Sequence, residues 1–326
     1  MSLDSDVIVD RRRIRRKLTF WRVTAAVVAI AAIIGIAVIA TPGGRSTFTT
    51  SSAIARVHID GLIRSNNDRV EALERLENSR AAAVVVHINS PGGTTAGSEQ
   101  LYDALTRLKA KKPLVVVVEG LAASGGYITA IAADHIVAQQ TSLVGSIGVL
   151  FQFPNFTDLL KTVGVKVEEV KSSPLKAAPN GYEPTSPEAR AALDSLVKDS
   201  YAWFRGIVKE RRGMDDALLD KVADGRVFTG HQAVDLKLID QLGDEKTAVA
   251  WLVAEKGVKS GLPVRDYKLE PRFSDLTFLK TAASITLDAL GFSSIARQVE
   301  QAGVAQAIDR LSLDGMLALW QPAGTN

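Results

Sequence analysis

From Ile54 onward the chain alternates between two hydrophobic periodicities. "IARVHIDGLI" (Ile54–Ile63) switches between apolar and polar positions, the pattern of a half-buried strand. "NNDRVEALERLENSR" repeats its apolar residues every three to four positions behind Asn66, Asn67 and Asp68, which predicts a capped amphipathic helix. The same alternation continues with the strand "AAAVVVHINS", the helix "GSEQLYDALTRLKAK", the strand "PLVVVVEG" and the helix "GGYITAIAAD". "HIVAQQTSLVGSIGVL" supplies more strand, "FTDLLKTVG" a short helix and "VKVEEVK" an extended piece. Ser186 to Gly213 reads as one long helix opened by Ser-Pro-Glu. A β-α-β-α order implies a largely parallel sheet flanked by helices, and runs such as VVVV fit strands buried on both faces. After Pro271 come amphipathic segments, among them "TAASITLDALG" and "SSIARQVEQAGVAQAIDRL".

The region before Ile54 is of another kind. "DRRRIRRKLTFWR" packs seven arginines or lysines into thirteen residues, and Val23–Ala40 follows with eighteen residues free of charge. As a helix that stretch is about 27 Å long, close to the hydrocarbon thickness of a bilayer. Phe20 and Trp21 suit the interface, and Arg22 can reach back to the headgroups. A cleaved signal ending at Val38-Ile39-Ala40 is the competing reading, but the apolar run exceeds the usual length of such signals. The expected organisation is therefore a cytoplasmic basic segment (1–22), a transmembrane anchor (23–40), a linker (41–52), an α/β domain (53–258) and an extension with amphipathic helices (259–326). The basic flank keeps the N-terminus in the cytoplasm and places the remainder outside it.

Composition narrows the chemistry. The 326 residues are 46% hydrophobic and 23% charged, which suits a domain with a proper core. The net charge of +3 is concentrated at the N-terminus, so no basic stripe remains elsewhere to bind nucleic acid. With no cysteine, thiolate metal sites and a cysteine nucleophile are excluded. No cofactor or metal is expected.

Three stretches could carry a reaction: "INSPGG" (Ile88–Gly93), "AASGGY" (Ala122–Tyr127) and "VKSSPLKAAP" (Val170–Pro179). The first two fall at the C-terminal ends of expected parallel strands, where open α/β sheets place their sites. The glycines of "SPGG" bare backbone N–H groups that suit an oxyanion, a phosphate or a plain turn, and no Gly-Lys-Ser/Thr follows to favour phosphate. Ser124, flanked by small residues, needs a base to act as a nucleophile. Of the four histidines, His58, His87 and His135 fall on strands and His231 at a helix start, and none forms a recognisable triad. Ala122 also replaces the first glycine of a Gly-x-Ser-x-Gly elbow. A lysine base remains, either Lys171 or Lys176. Deprotonating an ordinary lysine at pH 7 costs about 4.6 kcal/mol, a cost that an apolar setting removes. Lys176 lies among Pro174, Leu175, Ala177, Ala178 and Pro179, whereas Lys171 follows Glu168 and Glu169.

Together "INSPGG", "AASGGY", "VGSIGVL", "VKSSPLKAAP" and "DGRVFTGHQAVDLKLIDQLG" resemble the signal peptide peptidase A family of membrane-anchored serine proteases, over roughly Ala53 to Val258. The resemblance implies an α/β Clp protease/crotonase-like β-β-α spiral behind a single N-terminal transmembrane helix. It assigns Ser124 as nucleophile, Lys176 as general base and Gly93 as the oxyanion-hole glycine. It further implies a bacterial plasma-membrane endopeptidase that cleaves signal-peptide remnants or other apolar unfolded segments. The expected assembly is a homo-oligomeric ring in which serine and lysine meet between subunits. Two positions depart from the family's pattern: Ser173 and Lys237 each stand where a glycine is usual. The alternatives are a crotonase-like acyl-transfer enzyme, an inactive membrane scaffold, or a related protease with another target.

Overall fold

The computed structural model describes residues 52–269 and 316–320, with Lys17, Trp21, Arg22 and Thr24 in or beside helix. Apart from Thr24, the expected anchor Val23–Ala40 lies outside the described residues, as do most of the linker and the amphipathic segments after Pro271. Among the described residues no helix is long and apolar enough to cross a membrane. Residues 52–269 and 316–320 belong to one compact unit.

In chain order the elements are β1 (Ile54–Ile63), α1 (Asn67–Glu77), β2 (Ala83–Thr94), α2 (Thr95–Lys111), β3 (Leu114–Ala123), α3 (Gly125–Ala130), β4 (His135–Ala138), β5 (Leu143–Gly145), α4 (Thr157–Thr162), α5 (Pro187–Arg212), α6 (Asp216–Val222), β6 (Val227–Thr229), α7 (Gly230–Asp235), β7 (Gln241–Leu242), α8 (Glu245–Lys256), β8 (Val264–Asp266) and β9 (Leu317–Leu319). The sheet runs β6-β5-β3-β2-β1-β8, with β4 also on β3, β7 on β4 and β9 on β2. Pairings among β1, β2, β3, β4, β5, β7 and β8 are parallel, while β5–β6 and β2–β9 are antiparallel. The expected parallel α/β architecture is therefore present, with antiparallel additions that make the sheet mixed.

Local sequence explains most boundaries. Asn66 caps α1 by accepting the Arg69 N–H at 3.1 Å, and Ser186 caps α5 by accepting the Ala189 N–H at 3.1 Å. Gly213 ends α5 in the left-handed conformation, as a C-terminal glycine should. The valines of β2 and β3 are almost fully buried, which accounts for their unbroken apolar runs.

Three segments differ from their sequence patterns. Helix α3 stops at Ala130, short of Asp134: the Ala132 and Ala133 N–H groups reach back only three residues, the Asp134 N–H donates to the Leu114 carbonyl at 2.8 Å, and the Arg211 guanidinium takes the carbonyls of Ile131 at 2.8 Å and Ala133 at 2.7 Å. "VKVEEVK" pairs with no strand among the described residues, and Val165, Val167 and Val170 are exposed. Strand β9 joins the sheet from the far end of the chain.

The two departures from the family pattern behave differently. Ser173 keeps a negative φ, so a side chain fits there without strain. Lys237 is exposed at φ 57°, a conformation that costs a residue with a Cβ about 1–2 kcal/mol. Lys237→Gly is expected to stabilise the fold by about 1 kcal/mol. Thermal unfolding checks this, and an unchanged or lowered midpoint would show that the turn is already relaxed.

Candidate active site

The site begins where β3 leaves the sheet. Its last pairings are Ser90↔Ala122 on one side and Ala123↔Gly145 on the other. The next residue, Ser124, turns the chain into α3 at φ 55°, ψ −115°. A β-carbon makes this conformation costly, so the surroundings must impose it. The Ser124 N–H donates to the Gly145 carbonyl at 2.7 Å, and its carbonyl accepts from the N–H groups of Tyr127 and Ile128, both at 2.9 Å. Although Ser124 lacks the glycine two residues before it, the result is a strand-to-helix elbow of the kind that presents a nucleophile.

Helix α3 is itself held at three places. Gly126 lies against Ser90, where a β-carbon would come within 2.7 Å of the Ser90 carbonyl oxygen. The Tyr127 hydroxyl, fully buried, donates to the Leu238 carbonyl at 2.8 Å, and burial pushes the phenol well above its usual range. Arg211 closes the far end. The helix cannot shift without breaking one of these contacts, and Ser124 stays with it.

The serine is only 1% exposed. Its Oγ lies 3.5 Å from the Gly148 carbonyl oxygen, beyond the usual reach of an O–H···O bond, so the hydroxyl is weakly tied and can turn to another acceptor. Beyond it, no backbone hydrogen bond takes up the N–H groups of Gly125 or Gly126 among the described residues. Nearby, Ser90 is buried and structural: its Oγ donates to the Gly61 carbonyl at 2.7 Å and accepts the Gly92 N–H at 3.1 Å. It sets the shape of "SPGG", which continues β2 rather than forming a loop. Gly93 pairs with Ile63, and a β-carbon there would fall 1.8 Å from the Ile63 carbonyl oxygen.

The two candidate lysines have opposite environments. The Lys171 ammonium lies 2.6 Å from both Glu169 and Glu183, and those hydrogen bonds hold its pKa above the usual lysine value. Lys171 is thus kept charged and is a poor base. Lys176 is exposed and has no ion-pair or side-chain hydrogen-bond partner among the described residues. Within one chain the fold brings Ser124 and Gly93 onto adjoining strand ends, and no hydrogen bond joins Lys176 to Ser124.

None of the histidines bonds to Ser124 among the described residues. Both ring nitrogens of His87 face carboxylate oxygens, Nδ1 that of Glu119 at 2.7 Å and Nε2 that of Glu245 at 2.8 Å. Glu245 also pairs with Arg56, so this network ties the start of α8 to the sheet. His58, His87 and Glu119 bring three ligand atoms within 4.8 Å of one another. A cation there would have to displace a bond that His87 already makes. His135 stacks on Trp251 with ring centroids 4.4 Å apart, and His231 is exposed at the start of α7.

Sequence comparison identifies the relatives of the chain. The profile of peptidase family S49 matches residues 106–259, and that of Clp protease matches residues 60–142. The chain is 35% identical to slr0021, a candidate protease of Synechocystis, over 64% of this chain and 76% of that protein. It is 31% identical to protease 4 of Salmonella typhi over 75% of this chain and 37% of that protein. It is 32% identical to the candidate signal peptide peptidase SppA of Enterococcus faecium over 56% of this chain and 54% of that protein. The chain thus spans about a third of protease 4 and about half of SppA.

If the elbow stores strain, removing the β-carbon should release it. Ser124→Gly is expected to be more stable than Ser124→Ala by about 1 kcal/mol, since both lack the hydroxyl and only alanine keeps the strained φ. Denaturant titration of the two variants measures the difference, and equal midpoints would mean that the turn is unstrained.

Proposed function

The chain belongs to peptidase family S49 and is a serine peptidase of the SppA type, and from that premise we propose that Ser124 is its nucleophile and Lys176 its general base. The observation that carries this reading is the elbow. A buried serine is held at positive φ at the end of a parallel strand, and its hydroxyl has only a long contact to Gly148. Structure alone gives no reason to keep a serine in so costly a conformation; a nucleophile that must stand clear of its neighbours does.

In the proposed reaction neutral Lys176 takes the proton from Ser124 Oγ as that oxygen attacks the scissile carbonyl. The carbonyl oxygen becomes an oxyanion, stabilised by the Gly93 N–H and by the Gly125 N–H, the donor directly after the nucleophile. The protonated lysine then gives its proton to the leaving amine. Water, deprotonated by the same lysine, attacks the acyl-enzyme and frees the acid and the serine.

Lys176 stands on a stretch that buries little of its apolar surface. Val163, Val165, Val167, Val170 and Leu175 are all exposed, more than an isolated chain should leave in water. This supports an assembly in which a neighbouring copy covers the stretch and Lys176 reaches the Ser124 of that neighbour, within a homo-oligomeric ring. An apolar setting created by assembly would also lower the cost of neutralising the lysine.

The proposed location is the bacterial plasma membrane, with residues 23–40 as a single anchor, residues 1–22 in the cytoplasm and the peptidase domain outside it. The uncharged run behind seven basic residues supports this topology. Peptides left in or beside the bilayer, such as signal-peptide remnants and other apolar unfolded segments, are the proposed substrates.

Ser124→Ala and Lys176→Ala should each lower turnover of an apolar peptide by about a thousandfold or more, whereas Lys171→Ala should keep most of it. Full activity in Lys176→Ala would reject the base. Mixing Ser124→Ala chains with Lys176→Ala chains before assembly should restore part of the activity, because one variant still offers the serine and the other the lysine. No recovery from well-assembled mixtures would place the pair within one chain.

A further inference from the structure

The sheet face beneath α8 changes character partway along its strands. Under the helix it is apolar, with Ile54, Val85, Val115 and Val117 packed in one cluster with Ala248 and Leu252. Side chains two residues apart on a strand share a face, so Arg56, His58, His87 and Glu119 continue that same face. The apolar cover stops where α8 begins at Glu245, and there the face turns polar. The register pairs His58 with His87 across β1 and β2 and sets Glu119 beside them on β3, which brings three ligand atoms within 4.8 Å of one another.

A neutral imidazole carries one N–H and one lone pair. His87 is buried, and each of its nitrogens faces a carboxylate, Glu245 Oε2 at Nε2 and Glu119 Oε1 at Nδ1. One of these contacts therefore sets a lone pair against a carboxylate oxygen unless something positive lies between them. Arg56 bonds both oxygens of Glu245, at 2.5 and 2.6 Å, and holds that carboxyl below its usual pKa. Glu245 is thus an ionised acceptor suited to the Nε2–H, and Nδ1 then presents its lone pair towards Glu119. A histidine fixed by a carboxylate at one nitrogen and open at the other is the arrangement that supports metal ligation. The remaining charge agrees with it. Asp266 Oδ1 lies 2.9 Å from Arg56 and 3.9 Å from His58, so Glu119, Glu245 and Asp266 gather around a single guanidinium.

We propose that His58, His87 and Glu119 bind a divalent transition-metal cation, with Zn2+ the best match to two imidazoles and one carboxylate. The cation takes the place of a proton between His87 and Glu119, and because Glu119 is itself a ligand the exchange leaves neither group unpaired. Zn–N and Zn–O bonds of about 2.0 Å set ligand atoms roughly 3.3 Å apart. The His58 and Glu119 side chains are half-exposed, so small rotations of both reach that spacing. The same exposure gives the ion an entry path and leaves its remaining position to water. Bound there, the ion joins β1, β2 and β3 beside the start of α8 and favours the folded chain. Neither Ser124 nor Lys176 takes part.

The test titrates the full chain, free of any histidine tag and stripped of metal by a chelator, with zinc chloride in a calorimeter. The parent should bind one Zn2+ per chain with a micromolar or tighter Kd, and excess Mg2+ should not compete. His87→Ala disturbs a buried residue, so the half-exposed ligands are changed instead. His58→Ala and Glu119→Gln should each weaken binding by about tenfold or more, and Glu245→Gln by about tenfold through the orientation of His87. His231→Ala, outside the cluster, should bind as the parent does. Zinc should also raise the thermal midpoint of the parent and leave that of Glu119→Gln where it was. Co2+ reads the coordination without any substitution: visible absorption well above that of the hydrated ion is expected, and the spectrum of the hydrated ion overturns the proposal. Failure of the folded parent to take up zinc at submillimolar concentration overturns it as well, leaving His87 a structural histidine between two carboxylates. Zinc binding that His58→Ala and Glu119→Gln leave unchanged places the ion elsewhere and has the same effect.

Discussion

The end of the sheet that carries the candidate site depends on how closely its backbones approach one another. Gly126 brings α3 onto Ser90, Gly93 brings β2 onto Ile63, and Gly97 brings α2 onto Arg64 and Ser65. In each case a single added methyl group would fall within 2.7 Å of a backbone atom. Side chains cannot yield here, because the obstacle is main chain. The glycines of "SPGG", "TTAGS" and "AASGGY" therefore answer one requirement, that two strand ends and two helix starts converge on a small volume. Ser124 sits at the centre of that convergence. Its positive φ is maintained by the bond to Gly145 and by the three contacts that hold α3, so the strain is borne by many neighbours rather than by one.

The charges around the site sort themselves by pairing. Carboxylates at Glu169 and Glu183 hold Lys171 in its charged form, and Glu119 and Glu245 occupy both nitrogens of His87. Groups engaged in this way stabilise the surroundings and are withdrawn from proton transfer. Among the described residues Lys176 is left without such a partner, on an exposed apolar stretch. An exposed lysine gains nothing from desolvation, so the usefulness of Lys176 as the proposed base depends on what covers it. That cover would fall on the region from Phe151 to Leu196, where large apolar side chains are most often exposed among the described residues.

Much of this was legible from residue order. The alternation of "IARVHIDGLI" marks β1 to the residue, and Asn66, Ser186 and Gly213 mark helix ends, because caps and short-range periodicity are local properties. The serine and its two following glycines marked the elbow, although they did not reveal its φ. The Lys171 environment could be half read: Glu169 is a sequence neighbour, while Glu183 arrives by folding. Other features had no local mark. Ser90 looks like a turn residue and proves to be the peg that shapes β2. The Gly148 carbonyl facing Ser124 comes from a segment that reads only as strand. "MLALW" is too short to distinguish from any apolar fragment, and nothing near it indicates a partner more than two hundred residues away.

By itself, then, the sequence determined the order of strands and helices, the family, the nucleophile candidate and the two lysines between which a base must be chosen. Those follow from composition and spacing over a few residues, where chemistry depends on neighbours along the chain. Tertiary structure alone decided that Ser124 is strained, that Lys171 is held in its charged form by carboxylates on both sides, and that β9 pairs with β2 where β3 leaves it. Each of these depends on groups distant in sequence meeting at hydrogen-bond distance. Such a meeting is fixed by the packing of the sheet and not by any single stretch of residues.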